Sequence, residues 1–249
     1  AQAAQLGAFA NGLITGLATP GMANAPASPA FPLFGLTIQP TANNGDAIYR
    51  DLDDDGLTWR LTARYAVSED ANVYANYARG RRPDVLSVSA PSVPLGAPNF
   101  EVIEAETVDS YEVGFKSTLF DGAMLFNATY FNQKFEDFQL NTFLGTAFVV
   151  ESIPELKTQG VDADMLWFTP LEGLTLSGGA TYTDAEYGDF TAADLTSPGR
   201  FPQLSLLPGA RPSFAPEWSL SGSINFDRSL GGNLRGGFAL SAKYQTEYN

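Results

Sequence analysis

Two residue types are missing altogether: the 249-residue chain contains no cysteine and no histidine. Without cysteine there is no disulfide framework, no thiolate nucleophile and no Cys-ligated zinc or iron–sulfur site. Without histidine there is no Ser-His-Asp triad and no His-ligated metal or haem. Charge is scarce: Asp, Glu, Lys and Arg make up 17% of the chain, against a usual fraction of about 25%. What charge exists is lopsided, 28 acids against 14 bases, for a formal net charge of −14. So acidic a chain does not suit nucleic acid, whose phosphates require a basic surface.

Long hydrophobic runs are lacking as well. A membrane-spanning helix needs ~20 uninterrupted apolar residues, and Gln2, Gln5 and Asn11 break up the apolar stretch at residues 1–23. That stretch lacks the basic start of a signal peptide, since no Lys or Arg precedes Arg50. Residues 1–56 are read as a loop segment with room for a short helix, followed by Pro26, Pro29 and Pro32. The first residue is Ala, so the chain is read as a mature chain or a fragment.

What is present is a period of two. Leu57, Trp59, Leu61, Ala63 and Tyr65 alternate with Thr58, Arg60, Thr62 and Arg64, the mark of a strand with two unlike faces. The pattern recurs at Val73–Tyr77, Tyr111–Phe115, Met124–Tyr130, Val161–Trp167, Leu174–Tyr182, Trp218–Phe226 and Leu234–Tyr244, with a shorter piece expected at Thr146–Ser152. In a soluble sandwich the second face is usually charged. Here it is small and weakly polar: Ser219, Ser221, Ser223 and Asn225 in one strand, Thr175, Ser177, Gly179, Thr181 and Thr183 in another. Such residues suit the lumen of a wide barrel whose apolar face meets lipid. Aromatics close the apolar faces. Trp59, Tyr77, Tyr111, Tyr130, Tyr182, Trp218 and Tyr244 fall at one rim, and Tyr65, Phe115, Trp167 and Phe226 at the other. Two such girdles match the two interfaces of a bilayer. Connections alternate between short (Val67–Asp70, Leu119–Gly122, Pro170–Gly173, Asp227–Asn233) and long (Gly80–Glu106, Ala185–Ala215). The expected fold class is therefore all-β: a transmembrane antiparallel β-barrel segment of about eight long strands over residues 57–249. The long loops face the extracellular side and the short turns the periplasm.

Several motifs then fall in order. Tyr74-Ala75-Asn76-Tyr77-Ala78-Arg79-Gly80, with Arg82-Pro83, is similar to the strand-and-loop signature of TonB-dependent outer-membrane receptors, with Arg81 where that family usually has Phe. Tyr111-Glu112-Val113-Gly114-Phe115-Lys116 resembles their Tyr-Glu-x-Gly-x-Lys barrel motif. Glu136-Asp137-Phe138-Gln139 fits as well, and Gly160-Val161-Asp162-Ala163-Asp164 stands where Gly-x-Glu-x-Glu is frequent. The resemblance covers about residues 45–249. It implies the later part of a larger, 22-stranded barrel filled by an N-terminal plug. The chain is then an incomplete barrel portion, cut at both ends, with no terminal aromatic strand after Tyr248-Asn249.

The function implied is TonB-dependent active uptake of a scarce nutrient (iron–siderophore, cobalamin or oligosaccharide) across the bacterial outer membrane. No catalysis, cofactor or metal is expected. The implied partners are outer-membrane lipid, a small-molecule nutrient, and the TonB complex through a plug absent from this chain; nucleic acid is not among them. Candidate ligand residues on the loops are Arg79, Arg81, Arg82, Tyr187, Phe190, Arg200 and Arg211, with Phe201 beside them. The arginines offer planar donors to carboxylate or phosphate, or anchor on anionic lipid, or pair with acids such as Asp84. The aromatics stack on a ligand or pack the loop. Glu112, Lys116, Asp162 and Asp164 are expected as lumen charges, and Gly114 as room for a neighbouring side chain or backbone. Asp51, Asp53, Asp54 and Asp55 before Gly56 lack the late Glu of a calcium loop and are read as a solvated acidic turn. Two other readings stay open. One is a small self-closed barrel acting as anchor or adhesin, which needs bulky lumen filler. The other is a soluble all-β carbohydrate-binding or hydrolytic domain using Asp162 and Asp164.

Overall fold

The computed structural model describes residues 49–89, 99–143, 148–196 and 202–248. Alternating Thr, Tyr, Val and Phe residues drive an antiparallel sheet of eight strands. In chain order these are β1 (Trp59–Ala66), β2 (Ala71–Arg82), β5 (Glu106–Leu119), β6 (Met124–Phe143), β7 (Phe148–Phe168), β8 (Leu174–Tyr187), β9 (Trp218–Gly231) and β10 (Leu234–Gln245). A separate hairpin, β3 (Val85–Ser89) with β4 (Asn99–Ile103), interrupts the run between β2 and β5. The strands lie in sequence order, and β1 and β10 each pair on one side only. Among the described residues, then, the sheet does not close on itself as a small barrel would.

Two compact units share the chain. One holds residues 49–53, the β3–β4 hairpin and the segments Asn141–Phe143 and Phe148–Val150; within it the Arg50 guanidinium lies 4.9 Å from the Phe100 ring centre. The other holds the rest of the sheet and its loops. Among the described residues no helix is long and apolar enough to cross a membrane.

Register fixes which residues share a face. Tyr65, Val73 and Phe115 stand in one row, and Leu61, Tyr77 and Tyr111 in another, on the apolar face. Tyr182, Trp218, Leu220 and Ile224 continue that face in β8 and β9. Tyr65, Val73, Leu61, Tyr111, Trp218, Leu220 and Ile224 are exposed, and Phe115, Tyr77 and Tyr182 are half-buried. The expected rim forms: the ring centres of Trp59 and Tyr77 are 4.5 Å apart, Tyr77 and Tyr111 stack at 4.7 Å, and Tyr182 meets Trp218 at 4.9 Å. At the other rim Phe226 meets Phe238 at 5.7 Å.

The opposite face is polar and tied by side-chain hydrogen bonds. The Tyr74 hydroxyl and Thr129 Oγ1 are 2.9 Å apart, Thr62 donates to Asn76 Oδ1 at 2.9 Å, and Ser177 and Ser223 hydroxyls are 2.7 Å apart. Gly114 sits under the Tyr74 ring, where a Cβ would overlap it. The missing side chain therefore makes room for a neighbour, as the motif implied.

Short turns join the strands at one end. Phe120, Asp121 and Gly122 all take positive φ (56°, 54° and 90°), the left-handed run that turns β5 back into β6 in minimal length. The connection expected at Asp227–Asn233 is shorter than that: β9 continues to Gly231, so only Gly232 and Asn233 turn the chain. The separate piece expected at Thr146–Ser152 is, over its described residues, the start of β7, a strand of 21 residues; Thr146 itself lies outside the described residues. β6 is nearly as long, at 20 residues. A strand crosses a bilayer in ~9–11 residues; β6 and β7 run on past the aromatic rim for about as many again.

Candidate functional site

Beyond the rim, on the long-loop side, the chain builds its most buried cluster. Ile153 and Leu156 of β7 and Tyr187 of β8 meet Leu195 and Leu204, carried by the connection between β8 and β9. Phe135, Phe138, Leu140, Phe190, Leu207 and Ala210 pack around them. The connection is not a loose loop. It contains 3-10 turns at Ala192–Asp194 and Pro202–Leu206, and it returns along β8 through Ala210 O to Tyr187 N at 3.0 Å and Glu217 O to Thr183 N at 2.8 Å. Thr191 caps the first turn; its backbone N–H donates to Asp194 at 2.7 Å and holds that carboxyl below its ordinary range. Burial pushes the Tyr187 phenol up. Tyr187 and Phe190, two of the loop aromatics singled out in the sequence, thus serve as packing for this cap.

Among the described residues, the candidate arginines Arg79, Arg81, Arg82 and Arg211 are each engaged. Arg79 Nη1 donates to Asp109 at 3.0 Å, and the Tyr77 hydroxyl donates to the same carboxylate at 2.8 Å. Pairing with Trp59 and Asp109 puts Arg79 on the apolar-face side of the sheet, just past the rim. Arg81 forms a bidentate pair with Asp54 and lies 3.8 Å from Asp84. Its side chain crosses Gly56, where a Cβ would meet it. The Arg81 hydrogen bonds pull the Asp54 carboxyl down and push the guanidinium up. Within the acidic turn Asp54 is therefore a seat for Arg81, while Asp51, Asp53 and Asp55 are exposed as a solvated turn would be. Among the described residues no three acidic side chains converge as a metal site would require. Arg82 donates to Gln139 O at 3.2 Å and lies 3.9 Å from Glu106, with half its side chain exposed. Arg211 pairs with Glu217 at 3.6 Å. Arg200 and Phe201 lie outside the described residues.

The four polar-face charges do not pair with one another. Glu112 accepts from Asn76 at 3.3 Å, Asp162 from Thr181 at 2.6 Å and Asp164 from Asn127 at 2.9 Å. The Lys116 ammonium stands 5.5 Å from the Tyr74 ring centre, a cation–π distance. Asp164 lines a shallow depression with Ser177, Gly179, Ser221, Ser223 and Lys243.

Sequence reasoning missed an ionic cluster on the apolar-face side beyond the rim. Lys134 reaches Glu136 and Glu155, both at 3.0 Å, and Lys157 reaches Glu155 at 2.6 Å. Lys157, followed by Lys134, holds the Glu155 carboxyl below its ordinary range, while Glu136 and Glu155 raise the Lys134 ammonium. It also missed Gln139, which is 2% exposed. Its Nε2 donates to Pro83 O and Glu104 O, both at 2.9 Å, and its backbone N–H donates to Glu106 Oε2 at 2.9 Å.

An antiparallel wall with one lipid-compatible face, one polar face, two aromatic rims, short turns at one end and long excursions at the other is that of a transmembrane β-barrel. Residues 36–249 match the family described as TonB dependent receptor-like, beta-barrel, and the chain belongs to that family. The fold is similar to that of the ferric yersiniabactin uptake receptor FyuA from Yersinia pestis, at 20% identity and a TM-score of 0.51 over 74% of this chain and 28% of that one. It is likewise similar to BauA, the ferric preacinetobactin receptor from Acinetobacter baumannii, at 18% identity and a TM-score of 0.50 over 75% of this chain and 25% of that one. This chain thus spans about a quarter of the length of the receptors it matches. Membership locates it in the bacterial outer membrane, with the apolar face toward lipid and the polar face toward the barrel interior.

Proposed function

We propose that the chain supplies wall and outer loops to a receptor that takes up a ferric siderophore across the outer membrane. The supporting observation is the family match over residues 36–249, joined to structural likeness to receptors named for ferric yersiniabactin and ferric preacinetobactin. Of the three nutrient classes read from the sequence, those names favour iron–siderophore over cobalamin and oligosaccharide. The long connections face outside, and the capped cluster stiffens the outer mouth. Arg82, half exposed beside Glu106, is the arginine best placed to meet an anionic ligand. Glu112, Lys116, Asp162 and Asp164 face a plug carried by the rest of the receptor, and force from a TonB complex acts through that plug rather than on this wall. No covalent chemistry is assigned to it.

The test is growth of a strain lacking the complete gene under iron limitation, with single ferric siderophores as the iron source. One of them should fail to support growth and be restored by the full-length gene. Equal growth of deletion and parent strains on every siderophore supplied, with loss of cobalamin- or oligosaccharide-dependent growth instead, would overturn the siderophore assignment.

A further inference from the structure

The pairing of β5 with β6 stops at Thr107 and Glu136. The next residue of β6, Asp137, has φ of 53°, a left-handed conformation that breaks the regular ladder. Two residues on, Gln139 takes over the hydrogen bonding that the ladder has given up. Its backbone N–H goes to the Glu106 carboxylate and its backbone C=O receives Arg82. Both hydrogens of its side-chain amide are used, one on Pro83 O and one on Glu104 O. Pro83 and Glu104 are the two places where the chain leaves β2 for the β3–β4 excursion and comes back toward β5. Neither residue lies in a strand, so neither carbonyl has a ladder partner of its own.

We infer that Gln139 is the latch that closes the neck of the 83–104 excursion. One amide spans both ends of a long connection, and no residue with a single donor could do so. Being buried, the latch is shielded from water that would compete for the two carbonyls. It is bought at a cost, because Gln139 Oε1 is itself buried and has no partner among the described residues. An apolar residue of the same size would avoid that cost and leave the two carbonyls unmet instead. Arg82 and Glu106 brace the same junction from the ends of β2 and β5. Gln139 thus holds the two ends of the excursion together. Any consequence for ligand capture rests on the uptake reading, whereas the latch itself does not.

The experiment is hydrogen exchange and limited proteolysis on the full-length protein in detergent, comparing wild type with Gln139→Met. Loss of the amide should speed exchange at Leu86–Val88 and Val102–Ile103, and cleavage between Pro83 and Glu104, by tenfold or more. Exchange in the β8–β9 pair should stay unchanged. Wild-type rates in the excursion with Met at 139 would overturn the inference. If that variant fails to assemble, the wild-type protein still decides: the Gln139 backbone N–H, beyond the last β5–β6 pair and held by Glu106, must be protected, and exchange at the rate of an open loop would overturn the latch. Siderophore binding is measured separately, so loss of the latch without loss of binding, or the reverse, tells the two readings apart.

Discussion

In β7 the residues Val161, Ala163, Met165 and Trp167 turn outward within the wall, whereas Gln159 and Lys157 occupy the same face beyond the rim. The same exchange occurs in β8, where Ala180 and Tyr182 give way to Asp184 and Glu186, and in β2, where Ala75 and Tyr77 give way to Arg79. The inner face changes the other way: Asn127 and Thr129 lie below the rim, while Phe135 joins the capped cluster above it. The strand geometry does not change across the rim; only the surroundings do. Below it the outside is hydrocarbon and the inside wet. Above it the outside is water and the inside is a small apolar core. One continuous strand thus carries two opposite solvent rules, and the row at which they swap marks the membrane boundary.

Four substitutions press on that contrast. Leu156→Ala, in the capped cluster, should cost about 2–5 kcal/mol of local stability. It would be read as faster hydrogen exchange of β6 and β7 above the rim while the wall below keeps its protection. Arginine placed on the lipid face should cost about 2–4 kcal/mol. Ala163→Arg is thus expected to lower the urea midpoint of the folded receptor in lipid, and Gln159→Arg, on the same face beyond the rim, to leave it unmoved; equal effects would erase the boundary. Gly114→Ala drives a methyl into the Tyr74 ring and should cost about 1–3 kcal/mol through overpacking. Loss of the Tyr74–Thr129 hydrogen bond, seen as Tyr74 turning solvent-accessible to chemical modification, is the check.

The smallest effect concerns the ionic cluster. Because Lys157 and Lys134 depress the Glu155 carboxyl, its contribution is present at neutral pH and is lost as pH falls below the ordinary glutamate range through the depressed value. The raised Lys134 ammonium acts in the opposite direction, losing its contribution only as pH rises through its raised value. Between those limits the cluster should be insensitive to pH. Protection factors of the segment above the rim, which remove the intrinsic pH dependence of amide exchange, should therefore be flat at neutral pH and fall in acid, and Glu155→Gln should remove most of the acid-side fall.

The wall was legible in the sequence because lipid enforces a strict rule: every second residue apolar, aromatics at the ends, and tight turns such as Phe120–Gly122 between. The segments above the rim keep the period of two but swap its polarity, so the apolar alternation read in the sequence stops at Tyr130, while Asn132, Lys134 and Glu136 are the outer face of a continuing β6. For the connection after β8 the sequence left open whether Tyr187 and Phe190 stack on a ligand or pack the loop, because its 3-10 turns and its packing on Ile153 and Leu156 depend on partners far along the chain. Gln139 was legible only as part of the Glu136-Asp137-Phe138-Gln139 stretch, with nothing to mark its bonding. Its role arises only when Pro83, Glu104 and Glu106 are brought around it, and a glutamine in a strand is unremarkable until its two amide hydrogens have been traced.

The aromatic rims also make the chain its own optical ruler. Of its three tryptophans, Trp59 and Trp218 stand at the long-loop rim and Trp167 at the opposite one. Lipids carrying a bromine quencher at graded depths would therefore report the two interfaces separately from single-tryptophan variants. The difference between the two quenching depths would measure directly how thick a bilayer this wall is cut to fit.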